Sequence, residues 1–370
     1  MKRLLSLFVS TVILCIIYTQ IDFAGLVSVF RNCNPIWMVI SLTMVVPITF
    51  FSSWRLQQIV PPQVSLGLWE ANKLILAASV LNMVLPSKMG DIAKAYFMRD
   101  GGTSLKRSGS QTLGLAQSRS RSQPQSQTQS QSQSQPQSQP QGKISGTLSL
   151  SIVVFEKACD FLSLLLWCGF GLLLYPVKGA FFISMTVAII SGLVVGVLVL
   201  AWGRFARFFF KLVGGLADRI VPGKIGTKVR SLEASWGEMQ TYFWSDRTQL
   251  LKITVTSVFI WLLHLLQIWF FILALNAWVN PITNLALSPL AILAGLLPLT
   301  FAGVGTRDAA LIFLYQPYFS EATGAALGLL CSSRYLLPAI GGLPFLSQYL
   351  NRLNQIKQVN PLKANGPADS

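Results

Sequence analysis

Long apolar runs separated by polar, basic connections dominate the chain. Six of them lie near residues 4–19, 37–51, 149–175, 180–202, 253–278 and 323–344. A helix needs about 20 apolar residues to cross roughly 30 Å of hydrocarbon, so these runs predict transmembrane helices, the second being short for a full span. Two further apolar segments, 71–98 and 287–318, are interrupted by helix breakers. The first breaks at Leu85-Pro86-Ser87-Lys88-Met89-Gly90-Asp91, the second at Leu297-Pro298 followed by Gly303-Val304-Gly305-Thr306-Arg307-Asp308. Proline removes a backbone donor, and freed backbone groups at membrane depth are tolerated only around a cavity or against protein. Each segment is too short to cross comfortably, which predicts two re-entrant broken-helix hairpins. Related broken segments in the two halves point to a transporter's binding site and to an inverted repeat. Ordinary turns are the competing reading of either motif alone.

Composition agrees with that pattern. The 370 residues are 52% hydrophobic and only 11% charged, too little polar surface for a water-soluble domain of this size. The predicted fold class is an all-α polytopic integral membrane protein with about six full transmembrane helices plus the two hairpins. The net charge of +16 suggests nucleic acid until its placement is considered. Lys2 and Arg3 precede the first run; Arg55, Lys94, Arg99, Lys106, Arg107, Arg119, Arg121 and Lys143 fall between the second and third. Arg204, Arg207, Lys211, Arg219, Lys224, Lys228, Arg230, Arg247 and Lys252 fill the connection between the fourth and fifth. By the positive-inside rule both termini and these connections are cytoplasmic. No recognition motif accompanies the charge, so a nucleic-acid partner is not expected. The opening Met-Lys-Arg and apolar run read as an uncleaved signal anchor, since no small-x-small site follows Tyr18. Cys15, Cys33, Cys159, Cys168 and Cys331 show no Cys-x-x-Cys spacing, which implies neither a disulfide framework nor a metal site.

The chain divides into a first membrane half (1–116), a Gln/Ser-rich insertion (117–142), central membrane helices (143–203), a basic connection (204–252), a second membrane half (253–350) and a tail (351–370). The insertion has almost no hydrophobic residue with which to offset chain entropy and is expected to be disordered. In the basic connection, Phe205, Phe208, Phe209 and Leu212 recur at helical spacing among Arg204, Arg207 and Lys211. That spacing predicts an amphipathic helix at the membrane surface, read either as a contact with anionic lipid or as an interface-anchored linker.

With only 13 acidic residues in the chain, those near the membrane are informative. Glu156 and Asp160 stand at i and i+4 on one helix face, where like charges repel unless a cation, a basic side chain or a shared proton lies between them. An intramembrane carboxylate is a functional-site candidate by default; solvated placement at a helix start is the alternative. Asp91 and Asp308 occupy matching places beyond the glycines of the two breaks, with Lys88, Lys94 and Arg307 beside them. Cations and half-helix amides together suit a phosphate headgroup; a competing reading pairs Arg307 with Glu156 to close the bundle. Asn82, a turn before Pro86, suits either a headgroup contact or a broken-helix cap. His264, the only histidine, lies mid-span beside Gln267 and reads as a proton relay or a packing hydrogen bond. No Walker loop, metal-ligand cluster or Ser-His-Asp arrangement is present, so no catalytic residue, metal or cofactor is expected.

Asn82 with Leu85-Pro86 and Met89-Gly90-Asp91, Phe155-Glu156-Lys157 with Asp160, and Leu297-Pro298 with Gly303-Val304-Gly305-Thr306-Arg307-Asp308 together resemble the lysylphosphatidylglycerol synthase transmembrane family, a flippase-like membrane domain. The resemblance covers roughly residues 4–350 apart from the insertion. It implies a helical membrane protein that handles lipids, without the aminoacyl-transferase domain carried by some relatives. Lys94 stands where an Arg is usual in that pattern, and Asp308 where a Glu is usual; a Lys cannot reproduce a bidentate Arg contact.

The leading expectation is flippase-like translocation of a lipid or lipid-linked substrate in a bacterial inner membrane. Its candidate binding residues are Asn82, Lys88, Asp91, Lys94, Glu156, Asp160, Arg307 and Asp308, with structural breaks at Pro86, Gly90, Pro298, Gly303 and Gly305. The expected partners are membrane lipids with an anionic or phosphate-bearing headgroup. The alternatives are a non-catalytic membrane partner of a separate glycosyl- or aminoacyl-transferase, and a membrane-embedded lipid transferase.

Overall fold

The computed structural model of the protein describes residues 23–61, 66–84, 90–91, 94–95, 146–176, 179–220, 233, 236–237, 240–297 and 305–364. The expected first span at 4–19, the Gln/Ser-rich insertion, and Pro86, Lys88, Pro298 and Gly303 lie outside them. The described elements are helices: α1 (Phe23–Arg31), α2 (Pro35–Thr43), α3 (Val45–Ile59), α4 (Leu68–Val84), α5 (Gly146–Leu174), α6 (Ala180–Ala201), α7 (Gly203–Ile220), α8 (Arg247–Ala274), α9 (Pro281–Leu296), α10 (Thr306–Tyr315) and α11 (Glu321–Ala364). Among the described residues, five stretches are long and apolar enough to cross a membrane: Pro35–Ile59, Ser149–Leu174, Ala180–Ala201, Arg247–Ala274 and Glu321–Ser347. The chain is a multi-pass helical membrane protein.

The second apolar run is longer than its hydrophobicity suggests, because helix continues beyond Phe51 to Ile59. Its polar residues do not stop it. The hydroxyls of Ser52 and Ser53 donate back to the carbonyls of Ile48 and Thr49, at 2.7 and 2.8 Å, the usual way such residues are absorbed in a helix. Arg55, expected in a basic cytoplasmic connection, is instead 2% exposed inside the bundle.

Helix starts are marked by side-chain caps. Asn34 Oδ1 accepts from the amides of Ile36 and Trp37 with Pro35 at the first helical position, and Asn280 accepts from Ile282 ahead of α9. Asp246 caps α8 through the amides of Thr248 and Gln249. Each cap satisfies amides that have no partner within the helix. α2 and α3 run antiparallel to α8. The Asn34 amide donates to Ala274 O (2.7 Å) at one end, Gln267 Nε2 to Ser41 O (2.9 Å) in the middle and Gln249 Nε2 to Gln58 O (2.5 Å) at the other.

The chain reverses between α9 and α10. Tyr315, at the end of α10, donates to Asn284 Oδ1 (3.0 Å) near the start of α9 and sits 2.8 Å from Ser288 Oγ. Tyr318 beyond α10 meets Tyr175 beyond α5, hydroxyl to hydroxyl at 2.9 Å. Two glycines permit close helix crossings. A Cβ at Gly342 of α11 would lie 2.2 Å from Leu76 O of α4, and one at Gly171 of α5 would lie 2.5 Å from Leu285 O of α9. Leu285 is four residues before Pro289, whose ring nitrogen cannot donate to its carbonyl, so α5 approaches α9 where that carbonyl has lost its helical donor.

Among the described residues, the buried apolar side chains gather in two clusters. One surrounds Phe271, Leu287 and Tyr315, where α5, α8, α9 and α10 meet. The other gathers Leu56, Ile152, Phe155, Trp236, Phe243 and Ile253 around the ends of α3, α5 and α8. On α6, by contrast, Phe181, Ile183, Val187, Val194 and Val197 are all exposed, as suits a helix facing lipid. Phe205 and Phe209 of α7 pack toward the second cluster, while Arg204, Arg207 and Lys211 stay exposed.

Candidate functional site

Beside the second apolar cluster, α3, α5 and residues 91 and 94 bring six charged side chains together. Arg55 reaches Asp160 Oδ1 through Nη1 (2.5 Å) and Glu156 Oε1 through Nη2 (3.1 Å). Its Nη1 also donates to Ser257 Oγ of α8 at 3.1 Å. Lys94 Nζ contacts Glu156 Oε2 (3.1 Å) and Asp91 Oδ1 (3.0 Å). Lys157 Nζ lies 3.3 Å from Asp91 Oδ2 and 3.6 Å from Asp160 Oδ2. Three cations thus balance three carboxylates.

The repulsion inherent in Glu156 and Asp160 is resolved by a basic side chain, Arg55, bridging the two. Balance matters because a charge taken from water is retained only with paired charge and hydrogen bonds, and removing one partner of such a pair is costly. Exposure is graded across the network. The side chains of Arg55, Glu156 and Lys94 are 3–5% exposed, those of Asp91 and Asp160 are 11% and 20%, and Lys157 is 44%. Its closed end is therefore Arg55–Glu156–Lys94, and its open rim is Lys157 with Asp160.

Local backbone places the 90–95 segment. The Gly90 amide donates to Asn82 Oδ1 (2.9 Å), and a Cβ at Gly90 would fall 2.2 Å from Ala78 O. Only glycine lets the chain lie this close against α4. Asn82, expected as a headgroup ligand or a cap, ties down the segment that delivers Asp91 and Lys94.

Arg307 and Asp308 form a second, separate pair at the start of α10. Gly305 has φ 98°, in the left-handed region that favours glycine, and its amide donates to Asp308 Oδ2 at 3.1 Å. Arg307 gives Nε (3.0 Å) and Nη2 (2.7 Å) to Asp308 Oδ1, and Nη2 further reaches Ser332 Oγ (2.8 Å) and Gly328 O (3.2 Å) of α11. Arg307 therefore pairs with Asp308 and not with Glu156, whose oxygens are taken by Arg55 and Lys94. The close fit of Gly328, where a Cβ would stand 3.0 Å from Asp308 Cβ, holds α11 against this pair.

Of the residues singled out in the sequence, Asp91, Lys94, Glu156 and Asp160 meet in the first network, Arg307 and Asp308 in the second. Arg55 and Lys157 complete the first. Lys157 was visible as the neighbour of Glu156, whereas Arg55 stood in what read as a basic cytoplasmic connection. Among the described residues, no group of three acidic, histidine or cysteine side chains is placed to hold a metal ion. An open groove of about 870 Å³ lies apart from the network, where Arg204 and Arg207 of α7 face Trp236 and Gln240.

No curated protein and no solved structure matches the chain. The family described as Lysylphosphatidylglycerol synthase TM region matches residues 3–114 and 139–342, with the interruption falling in the Gln/Ser-rich segment. The match covers most of the chain, which therefore belongs to the lysylphosphatidylglycerol synthase transmembrane-region family.

Proposed function

We propose that the protein translocates a lipid or lipid-linked substrate with a charged headgroup across the bilayer. The carrying observation is the balanced network of Arg55, Lys94, Lys157, Asp91, Glu156 and Asp160 among spanning helices, closed at one end and open at Lys157 and Asp160. Glu156 lies about 10 Å inside the start of its span, at ~1.5 Å per residue. Charged side chains at such depth mark polar pathways more often than they add stability. A headgroup phosphate at the rim would take over Lys157 from Asp91 and Asp160, while an ammonium would be met by Asp160. Because both signs of charge are already paired, partners exchange without leaving a bare ion.

In this reading the segments 71–98 and 287–318 are re-entrant hairpins, Lys88 adds a cation at the first break, and the termini and basic connections face the cytoplasm of a bacterial cell. The test is headgroup movement in proteoliposomes with anionic, zwitterionic and glycosylated fluorescent lipids. Movement of one headgroup class, lost in Glu156→Gln, supports the proposal and names the cargo. No movement of any lipid by folded protein overturns it.

A further inference from the structure

Arg334 is placed differently from the other cations in the bundle. It lies near the middle of the Glu321–Ser347 span, and His264 lies well inside the Arg247–Ala274 span. Arg334 Nη2 stands 2.6 Å from His264 Nδ1. A guanidinium has only donors, so Nδ1 accepts, and the imidazole is neutral with its hydrogen on Nε2. Histidine thus orients the guanidinium without cancelling its charge.

Arg55, Lys94, Lys157 and Arg307 each meet a carboxylate at ion-pair distance. Among the described residues Arg334 meets none, and its Nε is buried without a hydrogen-bond partner. The Cys331 side chain lies against the guanidinium, but a thiol is not a carboxylate partner. A cation that meets no carboxylate among the described residues, and an orphaned donor, are both costly at this depth. The surroundings are contiguous with both charged sites. Trp261, whose ring is 5.4 Å from that of His264, donates Nε1–H to Asp160 Oδ1 at 3.3 Å. On the other side, the Cys331 carbonyl and Ser332 Oγ, less than a turn before Arg334, accept from Arg307.

From these observations we infer that Arg334, held by His264, is an anion subsite that takes a phosphate oxygen. For its cargo this rests on the translocation reading above. The guanidinium fork matches a phosphate oxyanion, and the anion supplies both the missing countercharge and an acceptor for Nε. Located between the rim at Asp160 and the Arg307 pair, it is a station for a phosphate headgroup part-way through the bundle.

The test is calorimetric titration of the purified full chain in detergent at matched ionic strength, with two probes: dihexanoyl phosphatidic acid and inorganic phosphate. Saturable binding of either probe is expected, weakened about tenfold or more in Arg334→Gln and restored in part in Arg334→Lys. Binding of both probes, or of the lipid alone, or of inorganic phosphate alone, assigns the source of the phosphate and supports the site in each case. Binding of neither probe, or equal binding by wild type and Arg334→Gln, overturns it. As a second readout, Arg334→Leu should melt higher than wild type without ligand, because it removes a charge that meets no carboxylate among the described residues. A lower melting temperature would mark Arg334 as structural and overturn the inference. Phosphate binding without lipid movement in proteoliposomes would retire the translocation reading and leave this site standing; lipid movement without phosphate binding would do the reverse.

Discussion

Among the described residues, Arg55 has more bonded partners than Lys94 or Lys157, and its removal takes one cation from each of two carboxylates. Arg55→Ala leaves Asp160 with Lys157 and Trp261 at the rim, and Glu156 with Lys94 alone at the buried end. Breaking a buried pair in this way costs about 3–5 kcal/mol, a substantial share of the roughly 5–15 kcal/mol by which an ordinary domain is stable. A sharp fall in melting temperature in detergent is expected, with partial recovery in Arg55→Lys. An unchanged melting temperature would mean that the network is solvated and contributes little. The sequence exposed half of this arrangement. Two carboxylates at i and i+4 on an apolar helix demand a positive group, but nothing local names the donor. Arg55 was hidden because Ser52, Ser53, Gln57 and Gln58 make the run look finished at Phe51. The serine hydroxyls bond within their own helix, so the polar stretch continues as helix and turns Arg55 inward.

Helix contacts depend on absent side chains as much as on present ones. Gly342 and Gly171 sit where a Cβ would strike the backbone of another helix, at Leu76 and at Leu285. Gly342→Val is therefore expected to part α11 from α4 and reduce the yield of monodisperse protein in size-exclusion chromatography. Gly215→Ala, with nothing within 4 Å of the added carbon, serves as its control. Equal yields from the two variants would contradict the close crossing. Apolar runs were readable from local chemistry, and span limits at 149–174, 180–201 and 321–347 fall within a few residues of those expected. The glycine crossings were not readable. A glycine's partner across the bundle is far away in the chain, and nothing beside Gly342 points to Leu76.

Across the whole molecule, the antiparallel pairing of α2 and α3 with α8 puts Cys33 and Ser245 at opposite ends of the bundle. Cys33 is partly exposed, whereas Cys159, Cys168 and Cys331 are buried, so the chain carries its own reporter for one end. In a Cys15→Ser background, a membrane-impermeant maleimide added to intact cells should label Cys33 from outside. Ser245→Cys in a further Cys33→Ser background should react only after the membrane is opened. The reverse pattern would invert the topology drawn from the positive-inside rule. The charge count alone suggested nucleic acid; the clustering of cations in connections such as α7, where Arg204, Arg207 and Lys211 are exposed, favours a reading of orientation, while Arg55, Lys94 and Arg307 are buried in the bundle.

Lys157 offers the cleanest test of translocation, since it forms the open rim and its neighbours keep other partners. Asp91 retains Lys94 and Asp160 retains Arg55 when Lys157→Gln is made, so the fold should persist with a melting temperature close to wild type. The measurement is the rate at which a fluorescent phospholipid becomes accessible to an impermeant quencher in proteoliposomes containing wild type or Lys157→Gln. Protein-dependent movement that slows about tenfold or more in the variant, at unchanged melting temperature, is expected from loss of one charge-assisted contact. Equal rates in wild type, Lys157→Gln and empty vesicles would contradict a charged lipid path through this bundle.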